Sequence, residues 1–342
     1  ASTEVKDRAL CTDKTGWYGK FYILPKKTIG EAFQKIVFQA EHETQAKHSE
    51  SGTLEDWIKE ISLLSEGNSR LVFGISLGFA AILLPFSETE SGGFHFFGCS
   101  SEGKTTILEV VASLFGGPDY VHKWHSTING IEALAESHSD SLLILDELGQ
   151  ADPKQAGNAA YMLASGAGKQ RAKTSGASKK CASWRLLFLS SGEIELSQVV
   201  EEAGKKIRAG QEVRFLSVPA NAGKGLGVFE NLHDYKDGCA FADVLKENSK
   251  KYYGVACIAF IESIIPNLDE IKNTIKELKK DFIKENTPEN ASGQVKRTVE
   301  KFALIATAGE IATRFDITGW EGGEATRSVK ICLQDYLQNR GG

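Results

Sequence analysis

No two of the six cysteines (Cys11, Cys99, Cys181, Cys239, Cys257 and Cys332) form a C-x-x-C pair, and none stands near a histidine at metal-ligand spacing. A zinc framework is excluded, and reduced thiols in a cytoplasmic protein are expected. No basic segment leads into an apolar one at the amino terminus, so no signal peptide is expected. Long hydrophobic runs are missing too. The nearest is Leu71 to Phe86, uncharged but interrupted by Gly74, Gly78 and Pro85, and shorter than the roughly 18–20 residues a bilayer requires. It reads as a buried core helix, with no membrane partner. A net basic field is absent as well: 40 Lys plus Arg stand against 45 Asp plus Glu, for a net charge of −5. Any nucleic-acid partner must therefore be held by a local patch.

What remains is a globular composition, 41% hydrophobic and 25% charged over 342 residues, with length for two domains or one large one at about 150 residues each. Residues 1–66 combine short aromatic runs with a polar stretch and read as a small α+β region. Residues 67–227 form the second unit. From Gly93 the pattern alternates: strands at 94–97, 120–124, 141–145, 184–189 and 213–218, helices at 104–115, 130–137, 156–164 and 196–206. Such alternation predicts an α/β fold with a parallel sheet covered on both faces. Residues 228–342 are mostly helical in pattern and are expected to form a lid. No internal repeat is visible.

Between the first strand and its helix, Gly98-Cys99-Ser100-Ser101-Glu102-Gly103-Lys104-Thr105 matches G-x-x-x-x-G-K-[ST]. Glycines there let backbone amides curl around phosphate oxygens, Lys104 reaches the β- and γ-phosphates of ATP, and Thr105 can ligate Mg2+. The nucleotide contact is expected to run through Thr106. Leu142-Leu-Ile-Leu-Asp146-Glu147 is an apolar strand ending in two carboxylates. Beside a phosphate loop, Asp146 would hold magnesium, largely through water, and Glu147 would orient and deprotonate the attacking water. A third strand ends in Ser190 and Ser191, either of which can touch the γ-phosphate or cap the next helix. Arg208 and Arg214 flank the segment before the last strand; one of them is expected to act in trans as an arginine finger. Arg297, at the start of a late helix, is a candidate second sensor of the γ-phosphate, or simply a solvent-facing charge.

Between Asp152 and Glu193 there is no acidic residue, yet seven lysines and arginines fall there. Lys173, Lys179 and Lys180 surround a Ser175-Gly176 turn, which suits a hairpin that contacts DNA phosphates.

Together, Trp17, Leu24-Pro25, the Gly93–Thr106 segment, Leu145-Asp-Glu-Leu-Gly149, Tyr161-Met-Leu-Ala, Gly168-Lys-Gln-Arg171, Leu189-Ser-Ser-Gly-Glu193, Gly210-Gln-Glu-Val-Arg214, Phe302 to Ala312 and Gly319-Trp320 resemble the family called domain of unknown function 927. The resemblance implies an AAA+ P-loop NTPase with an αβα sandwich, similar to replicative helicases of the minichromosome-maintenance and superfamily-three kind found in prophages and mobile elements. It further implies ATP-driven unwinding of single-stranded or forked DNA by a homo-oligomeric, hexameric ring, with a primase as a possible partner. The alternative is a nucleotide-controlled switch or assembly scaffold that hydrolyses ATP slowly.

Overall fold

The computed structural model describes residues 9–12, 14–30, 35–38, 47–168, 181–204 and 209–340. In the amino-terminal region, β1 (Ala9–Thr12) pairs in parallel with β5 (Lys35–Phe38), and β2 (Gly16–Tyr18), β3 (Phe21–Ile23) and β4 (Thr28–Ile29) form an antiparallel sheet.

Five parallel strands carry the rest: β6 (Gly92–Phe97), β7 (His122–Lys123), β8 (Leu142–Asp146), β9 (Leu187–Gly192) and β10 (Phe215–Pro219). Their order is β10-β6-β9-β8-β7, so β9, fourth of these in sequence, lies between β6 and β8. The alternation read from the sequence gives this sheet because each parallel crossover needs a covering element. All of β8 and β9 is buried, as a strand covered on both faces must be.

The pleat divides two hydrophobic cores. Leu142 and Ile144 join one core, with helices Ser69–Leu83, Lys104–Ala112, Gly293–Arg314 and Glu324–Asn339; Leu143 and Leu145 join the other, with helices Ile128–Ser137 and Pro153–Ser165. Three layers follow from period-two alternation along one strand.

The apolar run is central to the first core. Every residue of Ser69–Leu83 is buried. Ser69–Phe86 is, among the described residues, long and apolar enough to cross a membrane, and 89% of it is buried inside the protein. Its glycines are where the next helix comes close. A Cβ at Gly74 would stand 2.5 Å from Val111 Cγ2, and one at Gly78 2.5 Å from Leu114 Cδ2. Phe73 at its centre meets the rings of Phe94 and Phe302, which ties the sheet to the Gly293–Arg314 helix. The helices after residue 228 are thus part of this core rather than standing apart from it.

Candidate functional site

The carboxyl ends of β6, β8 and β9 open into a cleft of about 1150 Å3. Behind β6 the chain turns through Gly98 (φ +154°), Ser101 (φ +66°) and Gly103 (φ +98°) before the helix starts at Lys104. The turn is tight. A Cβ on Gly103 would meet Val228 Cγ2 at 2.7 Å, and one on Gly98 would meet Glu102 Oε2 at 2.2 Å. Ser100 through Thr106 line the cleft, and the Lys104 ammonium donates to the carbonyls of Gly98 at 2.7 Å and Cys99 at 2.5 Å. Lysine and helix amino terminus together present positive charge and free amides to a polyanion.

At the end of β8, Asp146 is buried and engaged at both oxygens. Lys123 Nζ donates to Oδ2 at 2.6 Å, and Ser191 Oγ donates to Oδ1. The bonded carboxylate holds the Lys123 ammonium above its ordinary range. Glu147 has left-handed backbone (φ +58°), a costly state for a non-glycine residue, and its side chain is exposed to the cleft. Ser191 Oγ accepts from Glu147 N–H at 3.4 Å, and the Gln150 amide donates to Glu147 Oε2.

The pleat separates the two serines that the sequence left open. Ser191 lines the cleft, whereas Ser190 is fully buried on the far side of the strand. There Trp124 Nε1 donates to Ser190 Oγ at 2.8 Å, and Ser190 Oγ lies 2.9 Å from His95 Nδ1. The other ring nitrogen of His95 is 3.0 Å from the Ile194 carbonyl. With burial holding His95 neutral, its pKa pushed down to about 4, a single proton arrangement satisfies all three groups: His95 Nε2–H to Ile194, Ser190 O–H to His95 Nδ1, and Trp124 N–H to Ser190.

Magnesium fits the oxygen donors here. Thr105 and Asp146 line one cleft, a hydroxyl and a carboxylate of the kind that hold Mg2+ when phosphates and water complete the shell. Among the described residues no cluster of three or more His, Cys, Asp or Glu forms an all-protein metal site.

The sequence profile of the family described as "Domain of unknown function (DUF927)" matches residues 1–183, more than half of the chain. The chain belongs to the DUF927 family. No curated protein sequence matches it. A solved structure described as "SCCmec type IV Cch - active helicase" has the same fold, with a TM-score of 0.72 at 17% identity over 98% of this chain. The chain spans 60% of the length of that one.

Other expected residues of this DUF927 protein lie elsewhere. Arg297 is exposed on the Gly293–Arg314 helix and does not line the cleft, because that helix turns Val299, Phe302, Ala303 and Ala306 into the core. Arg214 precedes β10 at the amino end of the sheet, where its carbonyl accepts from Gly93 N–H at 2.8 Å. Its guanidinium donates to the Gly210 carbonyl at 3.1 Å and stacks over Tyr161, 5.1 Å from the ring centroid. Arg208, Lys173, Lys179 and Lys180 lie outside the described residues.

Three groups were missed in the sequence. Lys123 hides in a strand of two residues, too short for a periodic signal. Asn221, whose Nδ2 donates to Glu102 Oε1 at 2.8 Å, sits in a connector that reads as a plain glycine-rich loop. The far wall, with Phe229, Ala242, Asp243 and Lys246, comes from the connector and the Gly238–Lys251 helix. The apolar residues Leu226, Val228 and Phe229 around Gly227 were the available signal.

Proposed function

We propose that this protein is an AAA+ P-loop ATPase that uses ATP and Mg2+ to drive a ring-forming DNA motor, in the manner of a mobile-element replicative helicase. The observation that carries the reading is the convergence of Lys104, Asp146, Glu147 and Ser191 from behind three adjacent strands, with β9 between the phosphate-loop strand and the acidic strand. ATPases with an additional central strand have this order.

Backbone amides of the 100–105 turn and the Lys104 ammonium bind the β- and γ-phosphates. Thr105 and Asp146 would hold magnesium, which when bound would neutralise charge on the phosphate oxygens. Glu147 accepts the proton of the attacking water. Ser191 fixes both neighbours of that water, bonding the Asp146 carboxylate and the Glu147 amide.

Arg214 supports the ring. It stands at the opposite end of the sheet from the phosphate loop, and six-residue β6 separates the two by roughly 15–20 Å. No side chain spans that gap, so Arg214 cannot serve its own cleft, which is compatible with the role in trans assigned to it or to Arg208. Contacts with DNA phosphates are assigned to the lysines at 173, 179 and 180, and the fold shared with a structure described as a helicase supports a DNA partner among ATP-driven functions.

Mixing two inactive variants tests the shared site. Arg214→Ala and Lys104→Ala are each expected to lack ATP turnover alone. Mixed, they restore part of it, since some interfaces combine one intact loop with one intact arginine. Parental turnover by Arg214→Ala alone would remove Arg214 from the site.

A further inference from the structure

Both oxygens of Asp146 are taken, one by a hydroxyl and one by a cation. The cation is Lys123, 2.6 Å from Oδ2, and the side chain of Asp146 that it meets is 8% exposed. The pairing is built into the backbone. Lys123 and Asp146 are register partners in the parallel ladder between β7 and β8, and the Trp124 amide donates to the Asp146 carbonyl at 3.1 Å. Neighbouring strand residues in register send their side chains to the same face. Trp124, fully buried and bonded to Ser190, anchors the strand directly after Lys123. The lysine side chain itself is 54% exposed. Its Cα is fixed while its four-carbon stem is free to leave.

We propose that Lys123 is a positioning residue that serves as the resident counter-cation of Asp146, holding the carboxylate in place and yielding Oδ2 when a magnesium nucleotide enters. This rests on the nucleotide reading above. A divalent ion held by Asp146, directly or through water, and an ammonium bonded to Oδ2 would lie within a few ångströms of each other, where like charges repel strongly even at the effective dielectric of a protein surface. One must leave, and the exposed, flexible, singly charged group is the one free to do so. The lysine thereby has two effects of opposite sign. Without metal it offsets the Asp146 charge that would otherwise repel phosphates; with metal it competes for the oxygen. Lys123 therefore sets how sharply nucleotide binding depends on magnesium.

The test uses the full chain, a fluorescent N-methylanthraniloyl ATP analogue, and the variants Lys123→Met and Lys123→Arg. Nucleotide affinity is read in EDTA and across a Mg2+ titration, and Mn2+ occupancy with ADP is followed by paramagnetic resonance. Lys123→Met is expected to weaken binding in EDTA and to lower the Mg2+ and Mn2+ half-saturation, each on the order of tenfold, the scale of one charge pair near a protein surface. Lys123→Arg keeps the charge and should stay near the parent. Lys123→Met leaves the buried Asp146 carboxylate short of one partner, so thermal unfolding of each variant is followed in parallel and binding is compared per folded molecule. Metal half-saturation unchanged in Lys123→Met, or both effects moving in the same direction, would overturn the proposal. A parent chain that binds no nucleotide would overturn the site reading and the proposal with it.

Discussion

Adjacent serines on β9 do different work, and a substitution at each separates them. Ser191 lies at the cleft between Asp146 and Glu147, so Ser191→Ala is expected to lower ATP turnover per folded molecule at least tenfold, as loss of a group that orients acid–base chemistry does, and, because it takes a donor from the buried Asp146 carboxylate, to lower the unfolding midpoint as well. Ser190→Ala removes the partner of Trp124 Nε1 and His95 Nδ1 deep in the protein, and leaving buried polar groups unpaired costs about 1–3 kcal/mol each. It should lower the denaturation midpoint while turnover per folded molecule persists. The reverse assignment would mean that the strand is pleated the other way. Sequence alone left this choice open because a run such as Leu-Phe-Leu-Ser-Ser-Gly is apolar on both faces until its end, so neither face announces itself. Lys104, Asp146 and Glu147 were legible because each belongs to a motif whose spacing is imposed by chemistry. Lys123 belongs to no such spacing; it is brought to Asp146 by strand order.

Among the elements, the longer strands and helices from Gly93 to Pro219 were readable to within a few residues, since each carries its own periodicity. The connector after β10 was not, because its constraints come from far away in sequence. Arg70, buried in the first turn of the central helix, donates to the carbonyls of Pro219 at 3.2 Å and Asn221 at 3.0 Å and pairs with Asp335 at 2.5 Å. Asn221 in turn holds Glu102 of the phosphate loop, and Val228 N–H donates to the Glu102 carbonyl at 2.9 Å. One guanidinium thus straps the carboxyl-terminal helix and the connector to the wall of the cleft. Arg70→Leu removes the buried member of an ion pair whose other member, Asp335, is 31% exposed, and takes a donor from the Pro219 and Asn221 carbonyls, a loss of about 1–3 kcal/mol. The expected loss is read from urea denaturation; a change under 1 kcal/mol would mean the connector is held by other contacts. Arg297 teaches the converse. Its helix was recognised, but which side of that helix faces the cleft depends on the core it packs against.

For the whole molecule, stability should fall in mild acid. Burial pushes His48 and His95 down to about 4, with Lys104 adding to the effect at His95 and the Ile194 carbonyl opposing it. His138 is also lowered, by burial first and then by His122 and His48. Histidines that are harder to protonate folded than unfolded give stability that is complete above the unfolded pKa of about 6.5 and is lost as pH falls toward 4. At pH 5 the two histidines at about 4 each account for a loss of about 2 kcal/mol. Thermal unfolding at pH 7.5 and pH 5 checks this, and equal midpoints would contradict the buried neutral state.

Catalysis at the Lys104–Glu147 cleft, driven by DNA, is the central claim for the assembled protein. Its most direct measurement is steady-state ATP hydrolysis by the purified chain with magnesium, with and without single-stranded DNA, beside Glu147→Gln at matched nucleotide occupancy. The parent should turn over ATP and accelerate with DNA, while Glu147→Gln retains ATP binding and slows by about a hundredfold or more. A parent without magnesium-dependent turnover, or a Glu147→Gln variant as fast as the parent, would contradict the assignment.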